Sequence, residues 1–109
     1  EKLTDMQALK EAGCCAFSDD GVPVKTAGLM REALKEAARL DMPVFAHCEE
    51  KTISRDGIVN ECDVAKDLNM PQIPVSAEDV GTARETALLM SRQYGQFSTS
   101  YSLRKEKRI

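Results

Sequence analysis

The chain has 109 residues, enough for one small domain with its own core but short of the roughly 200 residues that a complete α/β barrel takes. Charged residues make up 30% and the formal net charge is −3, so the balance points to neither nucleic acid nor an anionic membrane as a partner. No apolar run approaches the ~20 residues that span a bilayer, and Glu1 and Lys2 open straight into a polar helical pattern, so no leader segment is expected.

Met6, Leu9 and Ala12 recur at helical spacing and stop at Gly13, which predicts a helix over residues 5–12. Cys14-Cys15-Ala16-Phe17 is a short apolar run that ends in Ser18-Asp19-Asp20-Gly21, the pattern of a buried strand followed by a polar loop. Val22-Pro23-Val24 keeps the chain in that loop. From Thr26 to Leu40 the period changes: Met30, Ala33, Leu34 and Ala37 form one apolar stripe, with Thr26 placed to cap the start. Asp41-Met42-Pro43 breaks this helix. A second apolar run, Val44-Phe45-Ala46, again ends in polar residues, His47-Cys48-Glu49-Glu50. Residues 17–47 therefore read as strand–loop–helix–strand, the unit whose two strands lie parallel.

Beyond it, residues 51–57 read as loop, 59–68 as a short helix and 69–74 as a turn-rich link with two prolines. Ser76-Ala77-Glu78 reads as a helix start, with Val80, Ala83, Ala87, Leu88 and Met90 carrying the helix to about Tyr94, before Gly95. Residues 96–109 shift in composition and offer at most a weak edge strand, followed by a basic cluster (Arg104, Lys105, Lys107, Arg108) expected to be a solvated tail. The four cysteines, Cys14, Cys15, Cys48 and Cys62, lack Cys-x-x-Cys spacing and are expected to be reduced and mostly buried, in a cytoplasmic protein.

Polar residues just past the ends of neighbouring parallel strands crowd into one region, the rim where α/β folds carry their chemistry. The first strand brings Asp19 and Asp20 there; the second brings His47, Glu49 and Glu50. A carboxylate and an imidazole suit a zinc-type ion. Taken alone, a lone histidine at a strand end is more often structural or solvated, and Asp-Asp-Gly is a common turn.

The segments Phe17-Ser18-Asp19-Asp20-Gly21-Val22-Pro23-Val24, Gly28-Leu29-Met30-Arg31-Glu32-Ala33-Leu34 and Pro43-Val44-Phe45-Ala46-His47-Cys48-Glu49-Glu50 follow in order and spacing the middle of the dihydroorotase family. Ile73-Pro74-Val75-Ser76-Ala77-Glu78 and Thr82-Ala83-Arg84 extend the likeness, which runs over residues 1–95. The branch it resembles, within the amidohydrolase superfamily, has an aspartate as bridging metal ligand. The resemblance implies an α/β chain that is a segment of a (β/α)8 TIM barrel, with residues 1–95 a partial barrel and 96–109 a divergent tail. It implies Asp20 as the bridging metal carboxylate and His47 as a ligand of one of two zinc ions. Glu49, Glu78 and Arg84 match positions read as anchoring loops and helices. The implied chemistry is zinc-assisted hydrolysis of a cyclic amide, interconverting dihydroorotate and N-carbamoyl-L-aspartate in pyrimidine synthesis.

The chain also departs from the family pattern. The family's His-x-His pair lies upstream, a further metal histidine is expected near residues 97–102, where Phe97, Ser98, Thr99, Ser100, Tyr101 and Ser102 stand, and the catalytic aspartate lies further downstream. Cys62 stands where glycine is usual. No catalytic residue is expected within this chain, and the loss of likeness at Gln96 resembles a frameshifted, truncated or misassembled reading of a longer gene. The chain alone is expected to be inactive and, with unpaired strand edges, to self-associate. Two alternatives stand beside this reading: a non-catalytic dihydroorotase-like subunit partnering a carbamoyltransferase such as aspartate carbamoyltransferase, and a small α/β binding module.

Overall fold

The computed structural model describes residues 2–91. Helix α1 (Met6–Glu11) starts where the Asp5 carboxylate accepts the Ala8 N–H, and it ends at Gly13, whose φ of +100° is open to glycine without strain. Strand β1 (Phe17–Ser18) follows. Helix α2 (Ala27–Arg39) is capped by Thr26, whose hydroxyl accepts the Leu29 N–H, and it buries the Met30, Ala33, Leu34 and Ala37 stripe. Strand β2 (Val44–Phe45) lies parallel to β1, with Phe17 opposite Val44 and Ser18 opposite Phe45. The expected parallel strand–helix–strand unit is present, and the core sits within it: Phe17, Leu40, Met42, Val44 and Ala46 pack with the α2 stripe and with Met6 from α1.

The first strand is shorter than its apolar run. The Cys14 N–H bonds the Leu9 carbonyl and so belongs to the exit of α1, and pairing begins only where the Phe17 N–H reaches the Pro43 carbonyl. Cys14 and Cys15 are consequently exposed, as is Cys62, while Cys48 is half-buried; the expectation of mostly buried thiols is corrected, and none of the four forms a disulfide.

The next stretch also differs from its sequence reading. Within the expected loop 51–57 lies a single helical turn, α3 (Lys51–Ser54), started by Glu50, whose carboxylate accepts both the N–H and the hydroxyl of Thr52. The helix expected over 59–68 divides into a strand, β3 (Val59–Asn60), and a short helix, α4 (Asp63–Asp67), with the Cys62 sulfur accepting the Ala65 N–H at its start. The turn-rich link holds β4 (Gln72–Ile73), parallel to β3 with Val59 opposite Gln72. Two-residue strands are too short to show the alternation by which a strand is recognised.

Helix α5 (Val75–Met90) follows Pro74. Its buried residues are Ala77, Gly81 and Glu85, whereas Val80 and Met90, two of the apolar residues that traced the helix in the sequence, are 44% and 77% exposed. Small residues prevail because this helix lies directly on backbone: a Cβ at Gly81 would sit 2.7 Å from the Glu49 nitrogen, and the Glu50 N–H bonds the Ala77 carbonyl at 2.8 Å. The expected helix end near Tyr94, the edge strand and the basic cluster lie outside the described residues. The described chain is a mixed α/β segment with short parallel strands.

Candidate functional site

Beyond the last paired residues, Ser18 and Phe45, both strands of the β1–β2 pair run out at the same end, and two residues further stand Asp20 on one and His47 on the other. The loop turns sharply at once. Asp20 has φ +50° and Gly21 φ +78°, a left-handed pair that aspartate tolerates and glycine adopts freely. The Ser18 hydroxyl accepts the Asp20 N–H at 3.0 Å, and the Asp19 carbonyl accepts the Val22 N–H at 3.1 Å. Asp20 is therefore held in an exposed, tightly tied turn.

His47 is held from two sides. Its N–H donates to Asp19 Oδ1 at 2.9 Å, which links the two strand ends across 28 residues of sequence. Its Nε2 lies 3.2 Å from Glu49 Oε2, and the other oxygen of Glu49 accepts from Lys51 Nζ at 3.0 Å. Burial pushes the Glu49 carboxyl up, but the nearby Ser54 hydroxyl, Lys51 and His47 together outweigh it and hold the group below its ordinary value. The Ser54 oxygen is buried and completes no hydrogen bond of full geometry. The Glu50 carboxyl is likewise held low by the Thr52 hydroxyl and N–H, with burial opposing and the Arg84 charge assisting.

From α5, the Arg84 guanidinium donates to the Val24 carbonyl at 2.9 Å and to Glu85 Oε1 at 2.6 Å, fastening the loop after β1 to the helix. Glu85 is only 3% exposed, and its Oε2 is buried without a partner, as is Asp19 Oδ2. Burial raises the Glu85 carboxyl, Arg84 opposes, and the Asp19 charge adds to the rise.

Of the residues singled out in the sequence, Asp20 and His47 thus leave the same end of one parallel pair, and Glu49 and Arg84 do anchor neighbouring segments. Sequence reasoning missed Asp19 as partner of the His47 N–H, Gly81 as the close-approach residue and Glu85 as a buried acid. Only Gly81, a glycine inside a helical pattern, left a signal. Among the described residues no group of three or more histidine, cysteine, aspartate or glutamate side chains is gathered to hold a metal ion. As a donor set, one carboxylate and one imidazole fit part of a zinc site and need ligands from elsewhere to complete it.

A parallel strand–helix–strand unit with an acid and a histidine at its outgoing rim is the kind of unit that α/β enzymes repeat around a sheet. Its particular kinship is shown by comparison. The family model described as Dihydro-orotase-like matches residues 1–107, and the chain belongs to that family. Over 88 residues it is 50% identical to the dihydroorotases of Pelotomaculum thermopropionicum and of Geobacillus thermodenitrificans, and 49% identical to that of Bacillus caldolyticus. These alignments cover 81% of this chain but 21% of each relative, so the chain spans about a fifth of the length of the curated relatives it matches.

Proposed function

We propose that this chain is a segment of a zinc-dependent dihydroorotase, in which residues 1–95 supply part of a (β/α)8 barrel and residues 96–109 diverge. The observation that carries the reading is the placement of Asp20 and His47 at one end of the parallel β1–β2 pair, in a chain half identical to dihydroorotases. In this reading Asp20 and His47 hold zinc. Glu49 engages His47 Nε2 and would orient the ring of a histidine that holds the metal. When bound, zinc would supply a water acidic enough to attack near neutral pH and would polarise the ring carbonyl of dihydroorotate. The reaction is hydrolysis of the cyclic amide to N-carbamoyl-L-aspartate and its reversal, in pyrimidine synthesis in the cytoplasm. No helix among the described residues is long and apolar enough to cross a membrane.

The remaining ligands and the catalytic acid–base group come from outside this segment, so the isolated chain binds zinc weakly and does not turn over. Its uncovered faces, with Ile58, Val64 and Leu68 each about two-thirds exposed, favour self-association. The retention of both Asp20 and His47 favours the catalytic reading over a non-catalytic partner of a carbamoyltransferase.

A graft tests the proposal: residues 1–95 replace the matching stretch of the Geobacillus thermodenitrificans enzyme. A folded chimera is expected to hydrolyse dihydroorotate, and Asp20→Ala or His47→Ala in it to abolish turnover and lower its zinc content. Undiminished turnover in either variant would overturn the ligand assignment.

A further inference from the structure

The β1–β2 ladder ends at Ser18 and Phe45, and the His47 N–H, two residues further on, is satisfied by a side chain. That side chain belongs to Asp19, the immediate neighbour of Asp20. The backbone on either side of Asp20 is itself fixed, through the Ser18 hydroxyl before it and the turn closed on Val22 after it. One bond of 2.9 Å therefore ties the backbone that carries Asp20 to the backbone that carries His47. The second Asp19 oxygen is buried and without a partner, and so is Glu85 Oε2 on α5. A carboxylate turned inward to this degree is poorly placed to be a ligand itself, and well placed to be a strut.

We propose that Asp19 is a positioning residue, whose carboxylate fixes the spacing between Asp20 and His47 by accepting the His47 N–H. The proposal rests on reading Asp20 and His47 as zinc ligands. Asp19 acts through the His47 backbone and touches neither the metal nor the substrate. Its bond to the His47 N–H replaces the ladder bond that the strands no longer provide. Without it, the strand ends beyond Ser18 and Phe45 lose the bond that joins them directly, and more of the entropy of bringing the two ligands together falls on the metal.

The chain has a single histidine, so its imidazole signals in nuclear magnetic resonance are unambiguous while zinc is titrated into the 109-residue chain. Asp19→Ala is expected to speed His47 amide exchange about tenfold or more and to weaken the zinc response of His47 several-fold. Asp19→Asn, which keeps an acceptor oxygen, is expected to restore both. Protection of the Met30 and Leu34 amides reports whether a variant remains folded. If Asp19→Ala unfolds the chain, the unsubstituted protein and Asp19→Asn decide the matter: a His47 amide exchanging like that of an unstructured residue in either overturns the strut. Unchanged exchange in a folded Asp19→Ala variant overturns it too, as does a failure of asparagine to rescue. Asp20→Ala separates the two ideas. It should leave His47 amide exchange intact while abolishing the zinc response, and an unaltered zinc response there would refute Asp20 as a ligand while leaving the strut in place.

Discussion

Two strand–helix–strand units follow each other in this chain, β1–α2–β2 and β3–α4–β4, and both pair their strands in parallel. They differ in what lies beneath. The first holds the buried cluster from Met6 to Ala46. The second has one well-buried apolar side chain, Ala65, while Ile58, Val64 and Leu68 are 65–67% exposed. The cause is helix length. Thirteen residues give α2 several turns and a four-residue apolar stripe, whereas the five residues of α4 make little more than one turn. Topology is therefore common to both units, but only the first builds a core, and the candidate site stands at the end of that packed unit. The second is held instead by its ladder bonds and by the close approach of Gly57 to Gln72 and Ile73.

The sharpest test of this contrast compares two leucines. Leu34 is 1% exposed and Leu68 is 65% exposed. Leu34→Ala is expected to cost roughly 2–5 kcal/mol in urea unfolding, through lost burial and the cavity left behind. Leu68→Ala should stay within about 0.5 kcal/mol. Similar losses at both positions would mean that the second unit is covered by something that the fold of this segment does not provide.

Two glycines extend the comparison to backbone contacts. A methyl at Gly81 would meet the Glu49 nitrogen at 2.7 Å and the Cys48 carbonyl carbon at 2.8 Å, so backbone must move. Gly81→Ala should destabilise by about 1–3 kcal/mol, as overpacking does, and should disturb the segment that follows His47. A methyl at Gly28, inside α2, would meet nothing within 4 Å. Gly28→Ala should therefore stabilise by up to about 1 kcal/mol through helix propensity and a less flexible unfolded chain. Thermal unfolding of the pair should give shifts of opposite sign.

The helix caps make a smaller contrast. Thr26 Oγ1 accepts the Leu29 N–H at 3.1 Å, whereas at α4 the acceptor is a cysteine sulfur, at 3.4 Å from the Ala65 nitrogen. Thr26→Ala should cost about 1 kcal/mol. Sulfur is a weak acceptor, so Cys62→Ala should cost a few tenths of that. Amide exchange in the first turn of each helix measures the difference, and a larger loss at α4 would contradict it.

What was legible in the sequence follows the same division. The stripe of α2 and the two apolar runs can be read from pattern, which gives the parallel unit and the rim residues Asp19, Asp20, His47, Glu49 and Glu50; it is the family resemblance that singles out Asp20 and His47. The strands β3 and β4 are two residues each, and their pairing depends on backbone bonds that leave no side-chain signature. The buried face of α5 could not be read from pattern for a different reason. Close contact with the backbone at Cys48 and Glu49 selects alanine and glycine, while hydrophobic pattern directs attention to Val80 and Met90. Asp19 is a case of adjacent equals: composition and spacing do not distinguish the carboxylate that turns inward to the His47 N–H from the one left exposed, and only the family resemblance separates them.

Glu85 gives a small expected effect and the most informative direction. Its burial favours the neutral acid, the Arg84 ion pair opposes this, and the Asp19 charge reinforces it, with a net rise above the ordinary glutamate value. A carboxyl whose value is raised on folding binds more protons in the folded than in the unfolded chain. The stability tied to neutral Glu85 is therefore present below the ordinary glutamate range and is lost as pH rises through its raised folded value. Glu49, held low in the fold, works in the opposite direction: its contribution is present above the ordinary range and is lost as pH falls through its lowered value. Glu85→Gln keeps an oxygen for Arg84 and removes the titration. The variant should match the parent in acid and exceed it by up to about 1 kcal/mol near neutral pH, because a buried charge with an unpartnered oxygen is replaced by a neutral amide. Urea midpoints of both proteins, taken from about pH 4 to about pH 8, provide the measurement. A variant less stable than the parent at neutral pH would mean that the Arg84 pair outweighs the burial of Glu85, and that α5 is fastened to the packed unit by charge rather than in spite of it.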